Sequence, residues 1–283
     1  MTTITLPAYA KLNLTLDILG RRADGYHDLC MVMQSISLHD DVTVTLTDAD
    51  SIVCRCGMLP GDDSNLAVKA AKAFFTETGI VPRGLLIDIE KRIPMQAGMA
   101  GGSTDAAAVM HALRALLAPE LTTQKLEAIG AQVGSDVPYC VRGGTVLAER
   151  RGEKLTTLNA APRFRVVVCK PDFSISTPVL FNHSDSVALL DHPDTDGMLH
   201  AIEERDVLGI SARVFNVFEQ VLTDEQTEVF DIKDQLITLG ASATAMTGSG
   251  SAVFGLFTES GQAQLAFHNL RQHYQQTYLA EFI

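Results

Sequence analysis

From Leu12 to Ile18 apolar and polar side chains alternate, with Leu12, Leu14, Leu16 and Ile18 on one face and Lys11 and Asn13 at the start of the other. That period of two predicts a half-buried strand with Lys11 near its beginning. Further strands are expected at Val42 to Thr47, Leu85 to Glu90 and Thr145 to Glu149, and helices near Leu66 to Thr78 and Thr122 to Gln132. Between them Ala106, Val109, Met110, Leu113, Leu116 and Leu117 recur at three- and four-residue steps, the signature of one face of another helix. Such mixing of strands and helices implies an α/β or α+β chain. There is no internal repeat and no low-complexity linker. The polar, proline-containing stretch Asn159 to Arg163 precedes a fresh strand, Phe164 to Lys170, and a boundary there divides the chain into 1–160 and 161–283. The second half reads strand, several amphipathic helices, strand, strand, helix.

Two turns interrupt this pattern with glycine. Pro94 to Ala108 reads PMQAGMAGGSTDAAA and runs directly into the third of those helices. Gly98, Gly101 and Gly102 have no Cβ to hold a ligand away, so successive backbone N–H groups can converge on an anion. Ser103 and Thr104 add hydroxyls where the helix opens, and the helix N-terminus favours negative charge. The plain alternative is a glycine-rich corner ahead of a core helix. The common P-loop is excluded because Gly102 stands where it has lysine, and the dinucleotide fingerprint is excluded because GxGxxG does not follow a strand here. The second turn, Thr247 to Ser251 within ATAMTGSGSAVFGLF, sits between two apolar runs and carries Gly248 and Gly250. Positive charge for a phosphate must come from outside the first loop, and Lys11 is the candidate.

Composition narrows the partners. At 283 residues the chain can bury a sizeable core, and 46% hydrophobic with 20% charged residues lies near the globular average. A net charge of −12 argues against a nucleic-acid partner. No apolar run is long enough for a membrane span and the first residues lack a leader pattern, so a cytoplasmic location is expected. Cys30, Cys54, Cys56, Cys140 and Cys169 form an odd set without CxxC spacing, which indicates neither a disulfide framework nor a metal site. The basic pairs Arg21 and Arg22, Lys91 and Arg92, and Arg150 and Arg151 read first as solvated surface.

Lys11 with Asn13, the loop Gly98 to Thr104 and the turn Thr247 to Ser251, in that order, resemble the three motifs of the GHMP kinase superfamily. RRADGYHDL at 21 to 29, GSDVPYC at 134 to 140 and KPDFSISTPVLF at 170 to 181 are most similar to the branch that phosphorylates a diphosphocytidyl polyol on the non-mevalonate route to isoprenoid precursors. Gln96, Ala97 and Ala100 depart from the glycines usual at those positions. The resemblance implies an α+β, two-domain GHMP kinase fold. Its N-terminal half would be similar to the second domain of ribosomal protein S5 and its C-terminal half ferredoxin-like, with the active site in the cleft between them.

The resemblance also implies ATP and Mg²⁺. Asn65, Lys91, Pro94, Gly98, Ala100, Gly101, Gly102, Ser103 and Thr104 would serve ATP, Asn65 and Lys91 near its adenine. Asp136 would orient the acceptor hydroxyl and take its proton, although an Asp after Gly-Ser also reads as a turn or N-cap residue. Lys11 would keep that carboxylate ionised. Asn13, Thr177, Gly248 and Ser249 would hold the polyol, Tyr26 and Phe181 would sandwich the cytosine, and His27 would contact its edge. Partners would be small molecules only, and the protein a monomer or homodimer. Another kinase of the superfamily, of mevalonate or homoserine type, and a catalytically silent ligand-binding homologue remain alternatives.

Overall fold

The computed structural model describes residues 2–49, 51–57, 59–81 and 84–283. Contacts group the chain into two compact units that interleave along the sequence: Met1–Ala10, His39–Ile93 and Ala100–Gly143 form one, and Lys11–Leu38, Pro94–Met99 and Gly144–Ile283 the other. Compactness thus cuts the chain differently from the halves 1–160 and 161–283. The long strands β1 (Thr3–Arg21) and β2 (His27–Thr47) each contribute one part to each unit.

In the first unit β2 pairs antiparallel with β4 (Gly84–Glu90), from Asp41 opposite Glu90 to Thr47 opposite Gly84. Strand β4 in turn pairs parallel with β3 (Ile52–Arg55). Helix α1 (Leu66–Thr78) starts where Asn65 accepts a hydrogen bond from the Ala67 N–H and stops at Gly79, whose φ of 68° needs no Cβ. Helices α2 (Gly101–Leu117), α3 (Thr123–Val133) and α4 (Val137–Arg142) complete the unit. Phe74, Phe75, Val109, Met110, Leu113, Leu126 and Ile129 pack with Val42, Val44, Leu85 and Ile87 in one apolar core. Truncating a ring such as Phe74 to alanine in a core of this kind costs about 3–5 kcal/mol.

The second unit is built on an antiparallel sheet of order β11-β7-β10-β9, with β7 at Arg165–Lys170, β9 at Ala243–Met246, β10 at Val253–Phe257 and β11 at Gln276–Glu281. Helices α8 (Glu228–Thr238) and α9 (Ser260–Leu270) pack on it. Numbered within the unit this is strand order 4-1-3-2 in a β-α-β-β-α-β chain, the ferredoxin-like arrangement expected for the C-terminal half. Between β7 and α8 lie α5 (Thr177–Ser186), α6 (Thr195–Glu203), α7 (Val207–Ser211) and the short β8 (Phe215–Asn216), which pairs parallel with β1 at Thr15 and Leu16. Strands β5 (Thr145–Arg150) and β6 (Lys154–Thr157) form a hairpin, and β5 continues onto β2 from Leu29 to Gln34.

The expectation for β1 needs two corrections. The strand begins at Thr3, so Lys11 is in its middle, and every residue from Lys11 to Ile18 is buried, polar face included. Alternation of residue type survives because the second face is packed with hydrogen-bonded polar groups instead of water. Thr15 Oγ1, for example, accepts the Val32 N–H at 3.0 Å.

Candidate active site

The polar residues of β1 meet the second glycine turn. Asn13 is fully buried, and its Oδ1 accepts from the Lys11 ammonium at 2.6 Å and from the Gly248 N–H at 3.0 Å. Its own N–H donates to Thr247 Oγ1 at 3.1 Å. From the other side the Asn216 amide donates to the carbonyls of Met246, at 2.7 Å, and Gly248, at 2.8 Å. Gly248 has φ of 55°, and a Cβ there would sit 3.0 Å from Lys11 Nζ. The turn therefore closes directly over the ammonium. Next to it, Thr177 at the first position of α5 shares a 2.6 Å hydrogen bond with Ser249.

The first half of the glycine loop belongs to the same cluster. Gly98 has φ of 71°, and a Cβ on it would lie 2.0 Å from the Thr247 carbonyl oxygen. The Lys11 N–H donates to the Met99 carbonyl at 3.3 Å. So the structure brings together Lys11, Asn13, Gly98, Thr177, Gly248 and Ser249. A lysine that is 4% exposed, with the Thr177 and Ser249 hydroxyls beside the turn that covers it, suits a ligand carrying negative charge and hydroxyl groups.

The aromatic residues expected around the cytosine have partners of their own. Phe181 stacks on His27, with ring centroids 4.7 Å apart and planes at 18°, and meets Phe218 edge to face at 4.9 Å. His27 is nearly buried, with Nε2 2.8 Å from Asp185 Oδ1. That hydrogen bond is the largest cause holding the Asp185 carboxyl below its ordinary range. Tyr26 is 52% exposed, and the Arg151 guanidinium lies 3.6 Å from its ring centroid. Each ring that was expected to clamp a base thus already has a flat partner of its own.

In the first unit the loop becomes a helix. Ala100 takes the N-cap place with φ of 59°, and Gly101 is the first helical residue, two positions ahead of the expected opening at Ser103. Gly102 is exposed, and a Cβ there would meet only Leu66 Cδ1, at 3.5 Å. The Thr104 hydroxyl is turned back onto the Gly101 carbonyl at 2.9 Å, so Ser103 carries the outward hydroxyl of this turn. Asp136 is the N-cap residue of α4, as its plain reading required, yet its side chain makes no cap hydrogen bond. Asn65 is occupied at both ends, accepting from Ala67 N and donating to the Pro60 carbonyl at 2.9 Å. Lys91 is not solvated surface: its side chain is 18% exposed, and its ammonium is bound by Asp40 and, at 2.8 Å, by Asp105. Its neighbour Arg92 is the exposed member of that pair, at 41%.

Asn216, Asp40 and Asp105 escaped the reading of the sequence, and Arg151 was read only as solvated surface. A lone Asn inside the apolar run VFNVF was a usable signal for Asn216. The others act through partners far away in the chain. Among the described residues no group of three or more His, Cys, Asp or Glu is placed to hold a metal, and no helix is long and apolar enough to cross a membrane.

A buried lysine on a long strand, a glycine loop opening a helix and a second glycine turn on a ferredoxin-like sheet together define a GHMP-type small-molecule kinase. The family described as GHMP kinases N terminal domain matches residues 65–144, and that described as GHMP kinases C terminal matches residues 198–276, one on each side of residue 160. The chain belongs to the GHMP kinase family. It is 41% identical over 279 residues to the 4-diphosphocytidyl-2-C-methyl-D-erythritol kinase of Clostridium tetani, covering 98% of this chain and 99% of that one. The crystal structure of a 4-(cytidine 5'-diphospho)-2C-methyl-D-erythritol kinase superposes with a TM-score of 0.84 at 30% identity, over 99% of both chains. A homoserine kinase from Cytophaga hutchinsonii gives a TM-score of 0.76 at 17% identity over 100% of this chain and 95% of that one, a likeness of fold.

Proposed function

We propose that the chain transfers the γ-phosphoryl group of ATP to the 2-hydroxyl of 4-diphosphocytidyl-2-C-methyl-D-erythritol, in the cytoplasm, as a step toward isoprenoid precursors. The observation that carries this is identity of 41% to a relative of that name along 98% of the chain, together with the Lys11, Asn13 and Gly248 cluster. Likeness to homoserine and mevalonate kinases supports the fold, since one fold hosts many substrates.

Phosphoryl transfer passes through a loose transition state, so the protein's task is to align two oxygens and stabilise charge on the others. On this reading the N–H groups of Gly98 to Thr104 hold the phosphates, and Mg²⁺ enters with the nucleotide as MgATP. Asn13, whose amide is fixed by Lys11 and Gly248, stands with Thr177 and Ser249 to orient the polyol. Asp136 takes the proton of the attacking hydroxyl, and the Lys11 ammonium lowers the cost of the developing alkoxide. Tyr26, His27 and Phe181 form the wall for the cytosine, with the His27 ring already oriented by Asp185 before a base arrives. Pro94, Ala100 and Gly101 serve ATP by shaping the loop, Asn65 lies toward the adenine, and Lys91, held by Asp40 and Asp105, serves ATP from beneath the loop.

Asp136→Asn tests the assignment of the base. It keeps the side chain's size and removes no cap hydrogen bond, so folding and ATP affinity should hold while turnover of the diphosphocytidyl substrate falls on the order of 10²–10⁴-fold. Turnover at the wild-type rate would remove Asp136 from the chemistry.

A further inference from the structure

A charged cluster lies buried in the first unit at the start of α2. Asp40 is fully buried, and one of its oxygens accepts both the Arg92 N–H and, at 2.8 Å, the Ile93 N–H, while the other takes the Lys91 ammonium. The same ammonium reaches Asp105 on α2 at 2.8 Å. It also lies beside the first residue of that helix, since a Cβ on Gly101 would be 3.2 Å from Lys91 Nζ and 3.2 Å from Ile93 Cγ2. Strand β2, the end of β4 and the opening turns of α2 are therefore tied at one point. Asp105 is 3% exposed, and its Oδ1 is buried with no hydrogen-bond partner among the described residues.

Two carboxylates around one ammonium is a poor way to gain stability. Buried ion clusters are often matched by apolar residues of the same volume, whereas removal of one member leaves an uncompensated charge. What such a cluster supplies is a fixed geometry with discrete partners. We propose that Asp40, Lys91 and Asp105 are positioning residues for the phosphate cradle: a charged clamp that sets the place of Gly101 to Thr104 and so governs nucleotide affinity, with neither carboxylate touching the nucleotide. The proposal rests on the reading of that loop as the ATP site.

The clamp is also linked to protons. Burial, ahead of the opposing effect of Lys91, pushes the Asp105 carboxyl up to about 7, with Asp40 adding to the rise. Burial also lowers the Lys91 ammonium, but Asp105 and Asp40 outweigh it and leave the group above its ordinary value. Among the described residues its titratable neighbours include the thiols of Cys54, pushed by burial to about 11, and Cys56, pushed up by burial and then by Asp105. Both stay neutral near pH 7. Below that pH the clamp is neutral overall, with Asp105 protonated; above it, a net negative charge forms beneath the N-terminus of α2, where the anion is held.

Calorimetric titration of the intact protein with ADP reads the proposal directly. Lys91→Met and Asp105→Leu should each weaken ADP about tenfold, and the double variant should be no weaker than the worse single, since both break the same clamp. Asp105→Asn keeps shape and an acceptor for Lys91, and it carries the test if the larger changes unfold the chain. The ratio of wild-type to Asp105→Asn dissociation constants should rise severalfold from pH 6 to pH 8.5. Wild-type affinity in folded Lys91→Met and Asp105→Leu overturns the clamp, and so does a flat ratio. Weakening by Lys91→Met alone also overturns it, because Lys91 would then contact the nucleotide itself. Wild-type protein that binds no ADP fails the ATP reading at the outset, before any variant is compared.

Discussion

The two ends of the loop from Pro94 to Thr104 are built on opposite plans. Around Gly98 the protein fills the space a side chain would need, with the Thr247 carbonyl at 2.0 Å from the missing Cβ. Around Gly102 that space is open apart from Leu66 Cδ1 at 3.5 Å, and the residue is exposed. Glycine at the first position is required by the fold, while glycine at the second is unexplained by the fold. A residue kept small with nothing of the protein against it is what close approach of a ligand backbone or phosphate would demand. Gln96, ahead of Gly98, and Ala100, between the two glycines, adopt φ of 52° and 59°, a left-handed backbone that non-glycine residues take at a cost of about 1–2 kcal/mol each.

Substitutions at these positions separate the two plans. Gly98→Ala should have the largest effect, because a left-handed φ and a clash with backbone both stand against it; destabilisation of about 3 kcal/mol or more is expected in denaturant unfolding. Unchanged stability would mean that the loop does not pack on the Thr247 turn. Gly102→Val should leave unfolding within about 1 kcal/mol of wild type and weaken ATP at least tenfold, about 1.4 kcal/mol. Full ATP affinity in that variant would return Gly102 to the role of a corner residue. The smallest effect belongs to Ala100→Gly, which relieves the left-handed alanine and should change stability by about 1 kcal/mol or less in the stabilising direction, with nucleotide affinity retained. A marked loss of stability there would show that the N-cap of α2 depends on the alanine side chain.

Local elements were legible in the sequence, and distant pairings were not. Helix α1 came out at its observed limits because its apolar spacing, the Asn65 cap and Gly79 all lie within a few residues of it. Strand β2 was recognised only at its far end, Val42 to Thr47, because its first part is covered differently and the alternation fades. Lys11, Asn13 and Gly248 were each singled out from the order of motifs, but their meeting, with two donors on the buried Asn13 oxygen, required the fold. Lys91 was assigned by position to the nucleotide, yet its carboxylates sit 51 and 14 residues away and nothing near it announces them. The stack of His27 on Phe181 was hidden for the same reason, since Asp185, which fixes the ring, is 158 residues from His27.

Which alcohol is phosphorylated is measured most directly by turnover with purified protein. With ATP and Mg²⁺, separate incubations with 4-diphosphocytidyl-2-C-methyl-D-erythritol, mevalonate and homoserine should yield ADP only with the first, and phosphorus NMR of the product should place the new phosphate on the 2-hydroxyl. ADP formation with mevalonate or homoserine in preference to the diphosphocytidyl alcohol, or with none of the three, would contradict the account.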